Sequence, residues 1–129
     1  MNTAQQIEKI VNEYMELLPV EDNKLLAQSE VKASKFLMAT AKLANIRDQL
    51  LNEKVKKDAL VSVAYAEAIN TAPGTNAPTK EANAEANPKY LAAAEEVAVI
   101  DNQLTYLRTM LEIFTNAHLL YRGLMKGEL

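Results

Sequence analysis

Apolar residues recur along this chain at helical intervals, and breaks in that recurrence are few. Ile7, Ile10, Val11, Tyr14 and Leu18 fall mostly three or four residues apart, which lines them up on one helix face. They predict a short amphipathic helix over residues 4–18, stopped by Pro19. Thr3-Ala4-Gln5-Gln6 has the form of a capping box, with Thr3 as N-cap and Gln6 reaching back to it.

No glycine or proline occurs between Asn23 and Pro73, so a second helix is predicted over 23–70, capped by Asp22 or Asn23. Its buried side reads as Phe36, Ala39, Leu43, Ile46 and Leu50, flanked by Leu37, Ala44, Leu51 and Val55. At 1.5 Å per residue such a helix is roughly 65–70 Å long, too long for a compact globule of this size. The pattern leaves two solutions open: an extended hairpin or coiled coil, or a break near Ala59 to Ser62.

Residues 71–87 interrupt the periodicity. Pro73-Gly74 and Pro78, with Thr71, Thr75 and Asn76 around them, predict a loop, in which Thr79 caps a short helical segment through Glu85. Asn87-Pro88 then restarts a helix over 88–126, with an N-cap residue followed by proline at the first helical position. In that last helix Ala93, Val97, Ile100, Leu104, Leu107, Leu111, Phe114, His118, Tyr121 and Met125 alternate steps of four and three, the signature of a coiled-coil seam. A second stripe, Val99, Gln103, Tyr106, Met110, Ile113, Ala117, Leu120 and Leu124, runs beside it. One neighbour cannot cover both faces. Either the N-terminal helix folds back over the second face or another copy of the chain does.

The expected architecture is therefore all-α: one domain over 1–129, a long antiparallel coiled-coil-like hairpin with a short N-terminal helix, packed as a helical homo-oligomer. Ile100, Leu104, Leu107, Leu111, Phe114, His118 and Tyr121 are its expected oligomer interface. Composition agrees with the helical reading. The 129 residues include only three glycines and 5% aromatics, which disfavours an all-β chain.

Composition and motif inspection also narrow the chemistry. There are no cysteines, which excludes disulfides, thiolate nucleophiles and Cys-based zinc sites. The one histidine, His118, is preceded three residues earlier by Thr115, so the Glu-x-x-His pairs of a di-metal bundle are absent. On the seam His118 reads as a core hydrogen-bonding residue that fixes register, or as a pH-sensitive interface group. Glu95, Glu96, Asp101 and Glu112 fall off the seam and read as solvated charge rather than as an acid–base pair. No phosphate-binding glycine loop or nucleophile elbow is present. The expectation is a non-enzyme without cofactors or metals. Met1 to Gln6 lacks a basic, apolar leader and no apolar run approaches the ~18 residues of a membrane span, so no membrane association and a cytoplasmic location in a bacterial host cell are expected.

Charge is distributed unevenly. The chain carries a net −3, yet between Asn23 and Leu60 eight basic residues (Lys24, Lys32, Lys35, Lys42, Arg47, Lys54, Lys56 and Lys57) oppose four acidic ones. At 100° per residue Lys24, Lys32, Lys35, Lys42 and Lys57 share about one quarter of the helix circumference. This face is either a solvated surface paired to acidic neighbours or a stripe that tracks nucleic-acid phosphates. Tyr65 and Tyr90, on either side of the loop, are candidate base-stacking platforms or core residues.

The order of features resembles the phage recombination mediators of the UvsY type: a short leading segment, a long helix bearing Lys54-Val55-Lys56-Lys57 and then Tyr65, a break at Pro73-Gly74, and a last helix of the form Asp101-x-x-Leu104-x-Tyr106-x-x-x-Met110-Leu111 ending in Arg122. The resemblance implies an oligomer that binds single-stranded DNA, helps displace the single-strand-binding protein and loads a recombinase. It makes Lys54, Lys56 and Lys57 the DNA contacts; the helical-wheel stripe, apart from the resemblance, adds Lys32, Lys35 and Lys42 as candidate contacts. The chain differs from that family in its acidic net charge and its Ala/Asn-rich segment 71–87. The alternative function is a coiled-coil protein–protein interaction module, or a phage-encoded inhibitor of a host protein, without DNA binding. A third reading holds a small molecule between subunits near His118 and Arg122.

Overall fold

A computed structural model describes residues 1–18 and 25–127. Pro19, Asp22, Asn23 and Lys24, read above as helix stop, caps and first stripe lysine, lie outside the described residues. The described residues form four helices, α1 (Thr3–Met15), α2 (Leu25–Thr71), α3 (Ala77–Glu85) and α4 (Pro88–Lys126), and no strand. The 47 residues of α2 are continuous, with no break near Ala59 to Ser62. That stretch contains neither proline nor glycine to interrupt the hydrogen-bond ladder. Helices α2 and α4 pack as a hairpin. The chain, expected as one domain, divides into two compact units: residues 1–48 with 105–129, and residues 49–104.

Unit 1 joins α1 to the first half of α2 and the last part of α4. Asn2, not Thr3, caps α1. Its side chain accepts a hydrogen bond from the Gln5 amide at 2.8 Å while Gln5 Oε1 accepts from the Asn2 amide at 3.0 Å. Both frames of Asn2-Thr3-Ala4-Gln5-Gln6 fit a capping box, and asparagine is the better N-cap residue. The helix also ends earlier than expected, at Met15, where the Leu17 and Leu18 amides turn back onto the Tyr14 and Met15 carbonyls.

The core of unit 1 is aromatic. Phe36 of α2 stacks on Phe114 and on Tyr121 of α4, both at 5.8 Å between centroids, and Tyr14 of α1 meets Phe114 edge-on at 6.2 Å. Ile7, Val11, Leu43 and Leu107 are buried around them. Each large side chain so buried contributes about 1.5–3 kcal/mol, and each ring pair about 0.5–1.5 kcal/mol more.

Unit 2 is thinner. Residues 49–71 of α2 face residues 88–104 of α4, with α3 at the turn. Ladder contacts run antiparallel: Lys54 with Asp101, Lys57 with Glu96, Tyr65 with Tyr90. Its buried apolar residues are Leu50, Ala68, Ala84 and Ile100. The turn depends on Gly74, whose φ of +136° is left-handed and where an added Cβ would lie 2.8 Å from Thr79 Cγ2. Asn76 rather than Thr79 caps α3, accepting from the Thr79 amide at 2.9 Å. Pro78 then occupies the first helical turn, where its missing amide costs nothing. Asn83 donates to the Pro73 carbonyl at 2.6 Å and ties α3 to the loop. Asn87 Oδ1 accepts from the Lys89 and Tyr90 amides and caps α4.

Candidate interaction surfaces

The lysine face lies at the margin of α2's buried side on the helical wheel, so its long side chains reach across to neighbouring helices instead of standing away from them. In unit 1, Lys32 Nζ sits 5.3 Å from the centroid of Tyr121 and Lys42 Nζ the same distance from Tyr14. The Lys42 ammonium is held above its ordinary pKa by its hydrogen bond to the Tyr14 hydroxyl and by the charge interaction with the same group. In unit 2, Lys54 Nζ lies 2.6 Å from Asp101 and Lys57 Nζ 3.1 Å from Glu96. The Asp101 carboxylate raises the Lys54 pKa, first through the hydrogen bond and then through its charge. Lys35 and Lys56 are exposed and make no ion pair or ring contact among the described residues. Four of the six lysines thus have partners inside the chain, and the six are divided between the two units.

Tyr65 and Tyr90 are half-buried and pack on each other at 5.3 Å with a 60° tilt. Partial burial, followed by the nearby carboxylates of Glu81 and Glu85, pushes the Tyr65 phenol above its usual pKa. The rings join the arms of the hairpin, so neither stands free as a stacking platform.

Of the seven residues expected at an oligomer interface, four are taken up inside the chain. Ile100, Leu107, Phe114 and Tyr121 are buried within a single chain, at 4% exposure or less, while Leu104, Leu111 and His118 are half-buried. The seam of α4 is filled by α2 of the same chain, because the hairpin brings α2's own apolar stripe against it. His118 shows this directly: its Nδ1 donates to the Ala33 carbonyl of α2 at 2.8 Å, which places the ring proton on Nδ1. Of the second α4 stripe, Met110 and Ala117 are buried in unit 1 and Val99, Tyr106 and Leu120 are exposed.

What the seam reading missed lies on the opposite side of α2. Leu37, Leu51, Val55 and Val63 are 46–70% exposed, as are Leu91 and Val99 of α4 at about half. Their signal is present in the sequence as the residues flanking the buried stripe. Unit 2 also has an open hollow lined by Ala64, Glu67, Ala68, Thr71, Asn87, Pro88 and Lys89. Two of its polar side chains are engaged locally, Asn87 in capping α4 and Thr71 in donating to the Glu67 carbonyl at 3.0 Å. Among the described residues no three His, Asp or Glu side chains converge as metal ligands, and no helix is long and apolar enough to cross a membrane.

The fold defines a class: an all-α helical hairpin with apolar side chains on its outer faces. No family model, curated protein or solved structure matches this chain.

Proposed function

We propose that this protein is a helical interaction module that binds another helical protein surface through the outer apolar faces of its hairpin, and that it carries no catalytic activity of its own. The observation that carries the reading is in unit 2. There the large apolar side chains left outside (Leu51, Val55, Leu60, Val63, Leu91 and Val99) outnumber those buried, Leu50 and Ile100. Single exposed leucines are ordinary, but apolar residues repeated along a helix mark a surface that is covered in use. Recognition of this kind is helix against helix, with anchors at three- and four-residue spacing. The test uses a dye that fluoresces on apolar surface. The folded protein should bind it, and Val55→Ser with Val63→Ser should cut that signal without changing helicity. No dye binding by the native chain, or a signal indifferent to the two substitutions, removes the reading.

A second reading, a single-stranded DNA accessory factor of the recombination-mediator type, draws on Lys35 and Lys56, which are exposed without ion-pair partners among the described residues, and on the weakness of surface ion pairs, which phosphates could displace. Anisotropy of a labelled oligonucleotide would show binding that weakens linearly on a log–log salt plot and is reduced by Lys35→Ala and Lys56→Ala. Absence of binding at low salt ends this reading and leaves the first untouched.

A further inference from the structure

The open hollow of unit 2 lies between the last turns of α2 and the first turn of α4 and holds about 370 Å³. At ~30 Å³ per water-sized group, that admits on the order of a dozen non-hydrogen atoms. Its apolar lining is Ala64 and Ala68 of α2 and Pro88 of α4, side chains too short to close the gap between the arms. Neither Val55 nor Val63 lines it, so it is separate from the surface assigned above to a protein partner.

The two walls carry opposite charge. Glu67 lies on the α2 wall and Lys89 on the α4 wall, and both are exposed. The ladder of Lys54 with Asp101, Lys57 with Glu96 and Tyr65 with Tyr90 continues to this end of the hairpin and brings Glu67 level with Pro88 and Lys89. About three turns away along α2, Lys57 and Glu96 close to 3.1 Å across the same two helices. Glu67 and Lys89 form no ion pair among the described residues, and the alanine-lined gap lies between them.

The helix ends reinforce this polarity. α2 ends at Thr71 and α4 begins at Pro88, so the negative pole of one helix and the positive pole of the other border the hollow. Each pole has the sign of the side chain on its own wall. The α4 amides are not themselves an anion site, because Pro88 has none and those of Lys89 and Tyr90 donate to Asn87 Oδ1. Asn87 keeps its Nδ2 donors, and the Thr71 hydroxyl, which donates to the Glu67 carbonyl, keeps its oxygen as an acceptor.

We propose that this hollow binds a small zwitterion, a free aliphatic α-amino acid. Its ammonium group sits against Glu67 and the Thr71 oxygen, its carboxylate against Lys89 and Asn87 Nδ2, and its side chain over Ala64, Ala68 and Pro88. The walls discriminate by charge. An anion is repelled by Glu67, a cation by Lys89, and an uncharged apolar molecule strips water from both charges without replacing it. A molecule with both charges a few ångströms apart satisfies both walls with charge-assisted hydrogen bonds. Because Glu67 and Lys89 are exposed, water screens their pull, and dissociation is on the order of millimolar.

The probe is leucine, titrated into the isotope-labelled full chain and followed by amide chemical shifts. N-acetyl-leucine, which keeps only the negative charge, and leucinamide, which keeps only the positive one, are the controls. Leucine should give saturable shifts grouped at residues 64–71 and 87–90, half-complete at about 1–10 mM. Each control compound should bind about three- to fivefold more weakly, and Glu67→Gln and Lys89→Gln should each weaken leucine by a similar factor. Both substitutions are at exposed positions and should leave helicity unchanged, and Val55→Ser with Val63→Ser should leave the titration as it was. Shifts that are absent at about 50 mM leucine, that scatter over the whole chain, or that either control reproduces at equal concentration overturn the proposal. So does a leucine titration indifferent to both glutamine variants. None of these results bears on the interaction-module reading, which stands or falls on the dye response.

Discussion

Unit 1 and unit 2 are cut from the same two helices, yet they are held by different physics. Of the 17 apolar residues buried among the described residues, 13 lie in unit 1, including every aromatic of the core. Unit 2 buries two alanines, one leucine and one isoleucine, and adds two surface ion pairs and one tyrosine pair. The difference is the third helix. In unit 1, α1 contributes Ile7, Val11 and Tyr14 to a three-helix core. In unit 2 the arms of the hairpin face each other over most of their length, and two helices alone cannot enclose side chains on more than one face each. Stability in unit 1 comes from burial, whereas unit 2 leaves most of its large apolar side chains exposed.

The largest expected effect is on unit 1. Phe114→Ala removes a ring that touches both Phe36 and Tyr14 and should cost about 3–5 kcal/mol in denaturant unfolding. Ile100→Ala in unit 2 should cost less, about 2 kcal/mol, because a thin hairpin can close over the vacated space. Equal losses would break the contrast, and amide exchange that is slower over 28–48 than over 51–70 would sharpen it. Next comes Gly74→Ala, which places a side chain at a left-handed φ and against Thr79; a loss of about 1–2 kcal/mol confined to unit 2 is expected by the same exchange measurement.

Alkaline titration should act on both units. Lys42, Lys54 and Tyr65 all have folded pKa values above their ordinary ones, so the unfolded chain loses those protons first as pH rises. Their contribution is complete below about pH 10 and declines as pH climbs through the folded values. Unfolding midpoints should be level from neutrality to about pH 10 and fall beyond it; a fall that starts near neutrality would assign the effect to other groups. The smallest change is Tyr121→Phe. The Tyr121 hydroxyl is buried and without a hydrogen-bond partner among the described residues, so its removal should leave stability within about 1 kcal/mol of the parent or raise it.

Legibility in the sequence followed the range of the interactions. The last helix could be bounded at Asn87-Pro88 because an N-cap and an N1 proline act within one turn. The caps of α1 and α3 were each displaced, by one and by three residues, because several asparagines and threonines compete there and only the geometry of the turn selects among them. The seam of α4 was visible as a pattern, but a pattern states that a face is apolar and not which helix covers it. Hence Ile100, Leu107, Phe114 and Tyr121 read as an oligomer interface until α2 was placed against them. The lysines were legible as a stripe, while their pairing with Tyr14, Tyr121, Glu96 and Asp101 was not, since those partners lie 28 to 89 residues away in the chain.

The sequence by itself determined that this protein is helical, where its long helices run, and which of their faces avoid water, because propensity, capping and periodicity are all settled within a few turns. Only the tertiary structure decided which apolar faces meet inside the chain and which stay outside. That choice depends on the register of the hairpin and on how far α1 reaches along it, and both are set by contacts between residues far apart in sequence, which no local pattern encodes.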